Sequence, residues 1–590
     1  MNMSTSTMLA DPKDYSINGR FFKRLVNISR PYWTRAGAWR SWLALAVFIA
    51  FSLLEIVLGG KVSVLTRQMS DAMVGRHELS YWRLFAFVTS IGLVINNGIL
   101  GQFFDYLYSR LAIHWRKWLT NDLTSRYLDS RTYYRIEQEG NVDNVDQRIQ
   151  QETGPFCDMV AMLPRTLIYS AGTLGVQGML LREITPTLFY GVIAYGTISA
   201  VVTWWLYKPL IRLNFDSTVS EAELRFGILH VRNNAETVAL YRGECAEARS
   251  VERRLDKAVR LSIDKARYLF TMRSVEALVG VVWTLLPVVI LAPLYFSGKI
   301  TFGVVTQGTA SATLLLQGIQ RLTMFMPIFA SAAPHVVRLA QIVEKSNALR
   351  SACVDHAGAI RTGHGQEIQL EHLTLRTPGR ERTLLRGLNL RIGQGEHLLI
   401  MGQTGVGKSS LLRAVAGLWR EGSGTITMPP EQDVLFLPQR PYMLLGSLRE
   451  QILYPATEGR HSDQELQAWL EQVNLPDLAR RHGGFDTVID WSRVLSLGEQ
   501  QRIGFARALA SRARYVFLDE ATSAVDLATE QKLYQTLAMS GATYVSVGHR
   551  DSLVAHHPNV LQLYPEGVWQ LLTAEQTRRE TDRLKNEDIA

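Results

Sequence analysis

Two unlike halves are predicted for this chain, an all-helical membrane half of six spans followed by a mixed α/β half. Three observations predict them. The long apolar runs are confined to residues before about 320, short β-rich runs alternating with helical stretches fill the remainder, and one of those runs ends in a glycine-rich turn that opens a helix. Whole-chain averages conceal the division, because 590 residues of which 47% are hydrophobic would equally suit a soluble protein.

A helix that crosses a bilayer needs about 20 mostly apolar residues, each adding about 1.5 Å across about 30 Å of hydrocarbon. Six segments meet that length: Trp42–Gly60, Leu84–Phe104, Phe156–Leu181, Leu188–Tyr207, Ala277–Phe296 and Phe302–Gln320, the third and sixth with polar interruptions. Helices buried in a soluble core are the alternative reading of any one of them. Ahead of them, Phe21–Trp33 mixes aromatic, aliphatic and basic residues as an interfacial helix does, a pattern that a solvated amphipathic helix shares. No apolar run followed by a small-residue cleavage site occurs in the first 40 residues, so a removable signal peptide is not expected. Connections alternate between long helical loops, at 106–155 and 210–276, and very short turns at 182–187 and 297–301. The net charge of +9 is assigned to such loops, although Lys and Arg are about equally dense on the two sides and charge alone gives little orientation. Cys157, Cys245 and Cys353 are too scattered for a disulfide framework or a metal site and read as free thiols.

From about Gln341 to Gln366 long apolar runs give way to His, Gly and charge. The expected organisation is a membrane domain over 1–345, a linker over 346–366, an α/β domain over 367–575 and a charged tail over 576–590. In the α/β domain His397–Met401 and Tyr515–Leu518 read as strands and Ser409–Trp419 as a helix.

The stretch Gly402, Gln403, Thr404, Gly405, Val406, Gly407, Lys408, Ser409, with Ser410 behind it, follows the first strand and opens that helix, the context a phosphate-binding P-loop requires. Glycines let successive N–H groups close around phosphate oxygens, and the helix N-terminus adds its dipole. Lys408 reaches the terminal phosphates and the Ser409 hydroxyl suits Mg²⁺. Tyr515-Val-Phe-Leu-Asp-Glu520 is an apolar strand ending in two carboxylates, which suits Asp519 to Mg²⁺ and Glu520 to activation of the attacking water. ATP and Mg²⁺ are therefore the expected cofactors.

Between the two elements lies Leu495-Ser-Leu-Gly-Glu-Gln-Gln-Arg502, which resembles the signature sequence of ABC transporters. That resemblance implies that Ser496 and Gly498 contact ATP held by a second, identical subunit. Leu497 departs from the family pattern, which keeps the backbone donors. By the same resemblance Gln439 in Leu437-Pro-Gln-Arg-Pro-Tyr442 is the Q-loop residue, a catalytic and metal-linked group. Asp526 in Ser523-Ala-Val-Asp526 belongs to the D-loop, and His549 is the switch histidine that holds the terminal phosphate and the water. The aromatic that usually stacks on adenine is replaced by Thr377, ahead of Pro378, which implies weaker base recognition or another source for it.

In the membrane half, His114-Trp-Arg-Lys-Trp-Leu-Thr120, Tyr133-Tyr134, Asn144-Val-Asp-Gln-Arg-Ile149, Glu221-Ala-Glu-Leu-Arg-Phe226 and Asn234–Glu244 look like the cytoplasmic loops of the BacA and SbmA group, related to the subfamily D transporters. The chain resembles the fused members of that group, including a mycobacterial multisolute importer of cobalamin and hydrophilic peptides. The resemblance implies an ATP-driven importer of a hydrophilic solute, homodimeric, in the inner membrane, with N-terminus and ATPase domain cytoplasmic. An exporter, an acyl-CoA or lipid transporter, and a membrane-anchored ATP switch that moves nothing are the alternatives. Glu520 and His549 argue against the switch, and six spans argue against nucleic acid as a partner.

Two membrane features stand apart from the resemblance. Glu55 would cost about 2.5–3.5 kcal/mol at a bilayer-facing helix centre, so it is expected to pair or to sit near an edge. Thr306, Thr309, Thr313, Gln317 and Gln320 recur at helical spacing and so share one face, away from Leu314, Leu315 and Ile319. Such a stripe suits a water-filled path, with helix packing as the alternative.

Overall fold

The computed structural model describes residues 18–95, 99–139, 142, 145–323, 325–352, 360–377, 382–456 and 461–579. Cys353, Asn144, Pro378, the middle of the second span at 96–98, the centre of the expected linker and the tail from 580 onward lie outside the described residues. The chain divides into two compact units, Met1–Val354 and Asp355–Ala590.

The first unit is all helical. Its helices are α1 (Gly19–Thr34), α2 (Trp39–Val74), α3 (Glu78–Ile95), α4 (Ile99–Leu128), α5 (Thr132–Glu139), α6 (Val145–Gln147), α7 (Thr153–Ile184), α8 (Pro186–Asn233), α9 (Ala235–Leu240), α10 (Glu244–Phe296), α11 (Phe302–Thr323) and α12 (Phe325–Ala352). Five of the predicted spans fall each within one helix, the second divides between α3 and α4 on either side of 96–98, and α2, α8 and α10 are each long and apolar enough to cross a membrane by length and composition. The polar interruptions in the third and sixth spans have a packing cause. Helices α2, α7 and α11 pack on one another, and the inner faces of α7 and α11 bury Thr166, Ser170, Thr173, Gln177, Gln307 and Ser311. Ser63 of α2 and Ser311 of α11 share a hydrogen bond of 3.0 Å. Small residues let these backbones approach, as a Cβ on Gly60 would stand 2.7 Å from Val176 and one on Gly172 2.4 Å from Ile56. Glu55 is half-buried, with Arg165 and Arg321 as its cationic neighbours and Asp105 also near.

One expectation gains a protein contact and another needs correction. The apolar stripe of α1 is covered by protein: Phe21, Leu25, Ile28 and Tyr32 are buried with Trp115 and Leu119 of α4 and Val336 and Leu339 of α12, while Phe22 and Val26 stay exposed. A lipid-facing stripe and a protein-facing one have the same period, so the pattern could not choose between them. Secondly, α12 runs helical to Ala352, and the first strand of the next unit starts at Arg361, both inside the stretch assigned to a linker. Charged residues break its apolar runs without breaking its apolar face, since Val336, Leu339, Ala340 and Ile342 are buried.

A buried ionic group joins α12 to the turn before α7. Residues Arg148–Glu152 form a π-helical turn, the kind of insertion that re-aims side chains. Arg148, 4% exposed, donates to the Arg338 carbonyl at 3.1 Å and to Gln341 Oε1 at 2.6 Å, while Glu152 accepts from Arg338 at 2.7 Å and contacts His335. Burial alone would raise the Glu152 carboxyl, but His335 and Arg338 outweigh it and hold the group below its usual range.

The second unit begins with a four-stranded sheet, order β1-β5-β2-β3, of β1 (Arg361–His364), β2 (Ile368–Arg376), β3 (Thr383–Ile392) and β5 (Gly422–Met428). Its main sheet runs β12-β11-β4-β10-β9-β6, from β4 (Leu398–Gly402), β6 (Val434–Leu437), β9 (Tyr515–Asp519), β10 (Thr543–Val547), β11 (Asn559–Leu563) and β12 (Trp569–Thr573). It is parallel except at β12, and its strands are near-continuous apolar runs because both faces are covered. A two-stranded ribbon pairs β7 (Gly446–Ser447) with β8 (Val488–Ile489). Helices α13 (Lys408–Val415), α14 (Leu448–Leu453), α15 (Asp463–Gln472), α16 (Leu478–Arg481), α17 (Trp491–Val494), α18 (Leu497–Ser511) and α19 (Leu527–Met539) complete it, with two apolar cores.

Glu152→Ala removes the buried carboxylate on which Arg338 and His335 converge, so it is expected to cost about 1.5–3 kcal/mol and lower the thermal midpoint of the purified protein. Because the folded-state pKa lies below the ordinary carboxylate value, the contribution is complete above that ordinary value and is lost as pH falls through the folded-state one. Equal midpoints for wild type and Glu152→Ala at neutral pH would contradict it.

Candidate functional site

Parallel pairing of β4, β10, β9 and β6 brings four strand ends to one edge of the main sheet, the edge where open α/β sheets place ligands. Each end delivers a predicted site residue. Strand β4 ends at Gly402 and gives the turn 403–407 leading into α13; β9 ends at Asp519 with Glu520 next; β10 leads to His549; and β6 leads to Gln439.

The turn is built from glycines for a steric reason. Gly402, Gly405 and Gly407 have φ of 146°, 85° and 112°, and a Cβ at Gly402 would lie 2.5 Å from the Leu563 carbonyl oxygen. Val406 is buried and anchors the turn, while Gln403, Thr404 and Gly405 are exposed. Lys408 Nζ donates back across the turn to the carbonyls of Gly402 at 2.7 Å and Gln403 at 3.0 Å, so its charge is held over the mouth of the loop. Ser409 and Ser410 follow in the first turn of α13, half-buried.

Burial pushes the Asp519 carboxyl up, and the neighbouring Glu520 charge adds to this against the opposing pull of Arg413 and Lys408. Glu520 adopts φ of 47°, a left-handed conformation costing a side chain of this size on the order of 1–3 kcal/mol, and its N–H donates to the Val547 carbonyl at 3.0 Å. Its carboxylate accepts from Gln439 Nε2 at 2.7 Å, and His549 Nδ1 stands 3.6 Å from it. Predicted catalytic residues Gln439, Glu520 and His549 are thus brought together.

The donor set suits Mg²⁺: a serine hydroxyl, a glutamine amide oxygen and the Asp519 carboxylate are few hard oxygen ligands, as expected of an ion held mostly by water and phosphate. Among the described residues no group of three or more His, Cys, Asp or Glu forms a metal cluster of another type. When bound, the ion would neutralise phosphate charge beside Ser409, Gln439 and Asp519.

Ser496 and Gly498 lie apart from the turn, at the N-terminus of α18. Ser496 is the N-cap of α18, in a capping box with Glu499: its hydroxyl accepts from the Glu499 N–H at 3.3 Å, and its own N–H donates to Glu499 Oε2 at 3.0 Å. Burial opposes ionisation of Glu499, but Arg481 and the Ser496 contacts win and lower its pKa. Leu497 is exposed. Asp526 caps α19, accepting from the Thr529 N–H at 2.9 Å, so its carboxylate has a local task. Thr377 closes the β2–β3 hairpin, its N–H donating to the Arg382 carbonyl at 2.9 Å.

Two residues escaped the sequence reading. Gln501 of α18, 1% exposed, donates to the Gln439 carbonyl and to Ser523 Oγ, both at 3.0 Å, and accepts from the Ala524 N–H at 3.0 Å. Arg550 donates to the carbonyls of Thr522, Ser523 and Val525 at 3.3, 2.6 and 3.2 Å. The only local signal was a polar residue on an apolar helix face and an Arg beside a nominated His.

Residues 36–296 match the family described as ABC transporter transmembrane region 2, and residues 385–523 the one described as ABC transporter. An uncharacterized ABC transporter ATP-binding protein of Synechocystis sp. is 39% identical, covering 90% of this chain and 82% of its own. The chloroplastic ABC transporter D family member 2 of Arabidopsis thaliana is 32% identical over 92% of this chain and 86% of its own, and the human lysosomal cobalamin transporter ABCD4 29% identical over 93% and 95%. A solved bacterial Atm1-family ABC exporter with ATP bound superposes with TM-score 0.74 at 18% identity, covering 92% of this chain and 99% of that one.

Glu520→Gln keeps the side-chain shape and removes the carboxylate expected to act as base. ATP binding to the purified variant should persist while turnover falls by a factor of about 10² or more, the usual scale of general-base loss. Near-normal turnover would assign the base to another residue.

Proposed function

This chain belongs to the ABC transporter family, as a membrane domain fused to one ATP-binding domain and related to subfamily D, and from that premise we propose that two copies import a hydrophilic solute. Hydrolysis of ATP coupled to transport is the family's activity. The proposal concerns the assembly, the roles of individual residues, the cargo and its direction.

In the proposed cycle ATP and Mg²⁺ bind at residues 402–410 of one chain, and Ser496 and Gly498 of the other cover the terminal phosphate. Lys408 and the N–H groups of the turn hold the phosphates. Glu520 takes the proton of the attacking water, oriented by His549, while Gln439 holds the Glu520 carboxylate in place. Placement in an inner membrane with the ATPase domain cytoplasmic follows from where ATP is available.

The observation that carries the hydrophilic cargo is the outward face of α11. Thr306 and Thr309 are half-exposed and Thr313, Gln317 and Gln320 exposed, whereas Ala312, Leu315 and Leu316 are buried against neighbouring helices. The threonine hydroxyls donate within their own helix, to Gly303, Val305 and Thr309 carbonyls, and Thr306 also meets Ser70 Oγ of α2 at 3.1 Å, so the stripe touches a second helix at that end and turns Thr313 and Gln317 outward. Arg321 extends it, stacked 4.1 Å over the Tyr169 ring. Acceptor oxygens, amides and a guanidinium in a row favour water and a polar solute over lipid tails. The resemblance of the membrane-half loops to the BacA and SbmA group, and the cobalamin that the ABCD4 relative carries by name, make cobalamin and hydrophilic peptides the first solutes to try.

Single cysteines at 306, 309, 313 and 317, in protein with Cys157, Cys245 and Cys353 replaced, should react with water-soluble thiol reagents, and a transported solute should protect them. In sealed vesicles ATP should drive uptake of labelled cobalamin or peptide in preference to acyl-CoA. Cysteines inaccessible with and without ATP, or selective movement of acyl-CoA, would overturn the hydrophilic reading.

A further inference from the structure

Helix α18 has two ends with different addresses. Its N-terminus carries Ser496 and Gly498, which under the proposed dimer face ATP on the other chain. One turn later Gln501 points into its own chain, and the groups it holds are those around its own hydrolytic carboxylate. Its Nε2 bonds the carbonyl of Gln439, whose side chain in turn holds Glu520, and reaches the Glu520 carbonyl at 3.4 Å. Its Oε1 fixes the Ala524 N–H, and Nε2 also takes Ser523 Oγ.

The same residue, Ala524, is pressed on the first turn of α18 through its carbonyl. A Cβ on Gly498 would lie 2.7 Å from the Ala524 carbonyl oxygen, so the absence of a side chain there permits the contact. Any displacement of the Gly498 turn therefore meets Ala524 directly, and through Ser523, whose N–H donates to the Glu520 carbonyl at 3.0 Å, meets the residue that activates water. Arg550, next to His549, grips the other side of that segment through three carbonyls. A side chain buried at 1% and bonded on both amide atoms is a rigid link, because moving it leaves buried polar groups unpaired.

We propose that Gln501 is a positioning residue that ties the end of α18 reading one ATP to the hydrolytic carboxylate of its own chain, so that each nucleotide site sets the geometry of the other. It rests on the two-chain reading above, and it adds a named link through which the two hydrolysis sites become interdependent.

Steady-state ATPase of the full-length dimer over a range of ATP concentration tests it. Gln501→Glu preserves shape and replaces both N–H donors by lone pairs aimed at carbonyl oxygens. It should lower kcat at least tenfold with KM changed less than threefold, and bring a Hill coefficient above 1 to near 1. Lowering pH should restore part of the lost turnover relative to wild type, since a protonated carboxyl donates again, and Gln501→Ala should show no such recovery. A role in packing alone predicts proportionate loss of thermal stability and activity, no change in cooperativity and no recovery at low pH, and that pattern would overturn the proposal. If either Gln501 variant fails to fold, Ser523→Ala removes one of the same bonds from the loop side and should lower the Hill coefficient more weakly; unchanged cooperativity there counts against the link. A wild type with full activity and no cooperativity, or a cooperative wild type with an unaffected Gln501→Glu, would overturn this proposal, whereas the two-chain reading fails only if mixed inactive subunits do not complement each other.

Discussion

Four parallel strands ending at one edge of a sheet are the constraint from which the chemistry of this chain follows. Registered pairing of β4, β10, β9 and β6 puts Gly402, Asp519, His549 and Gln439 within reach of one another although they span nearly 150 residues of sequence. Backbone crowding then dictates residue type. Gly402 must lack a side chain because the Leu563 carbonyl occupies that space, and Glu520 must take a left-handed turn for its carboxylate to meet Gln439. Burial does the rest, raising Asp519 where Lys408 and Arg413 pull the other way.

The membrane unit solves a different problem with related means. Polar side chains at bilayer depth need partners; α2, α7 and α11 bury serines, threonines and glutamines among themselves, where Ser63 and Ser311 pair, while Ser170 Oγ, Gln177 Oε1 and Gln307 Oε1 have no hydrogen-bond partner among the described residues. What remains on the outer face of α11 is polar as well, and its hydroxyls are satisfied within the helix. A helix that is polar on two faces yet packed on one is hard to reconcile with lipid contact, which is why the cargo is read as hydrophilic.

How much of this could be read from sequence depended on whether the chemistry is local. Residues 402–410 are contiguous because one turn must close around one phosphate, so the phosphate turn and its neighbours at 519 and 520 were legible from spacing. The signature at 495–502 was legible only by resemblance, and its internal link was not: Gln501 matters through Gln439 and Ala524, which are distant in sequence. The Glu152 group was invisible for the same reason, being assembled from a π-turn and α12. The extension of α12 to Ala352 leaves no apolar run in the sequence, because that helix keeps only an apolar face. The period of α1 shows that it has an apolar face but not what covers it, and Phe21, Leu25, Ile28 and Tyr32 find that cover in α4 and α12.

The central claim is that a complete hydrolysis site needs two chains, one supplying residues 402–410 and Glu520, the other Ser496 and Gly498. Mixing Glu520→Gln subunits with Ser496→Arg subunits, each inactive by itself, with reassembly before ATPase is measured, tests it most directly. Activity should reappear in the mixture, because each mixed pair brings residues 402–410 and Glu520 of the Ser496→Arg chain under the intact Ser496 and Gly498 of the Glu520→Gln chain. No activity at any proportion would mean that each chain carries the whole site by itself, and would contradict the account.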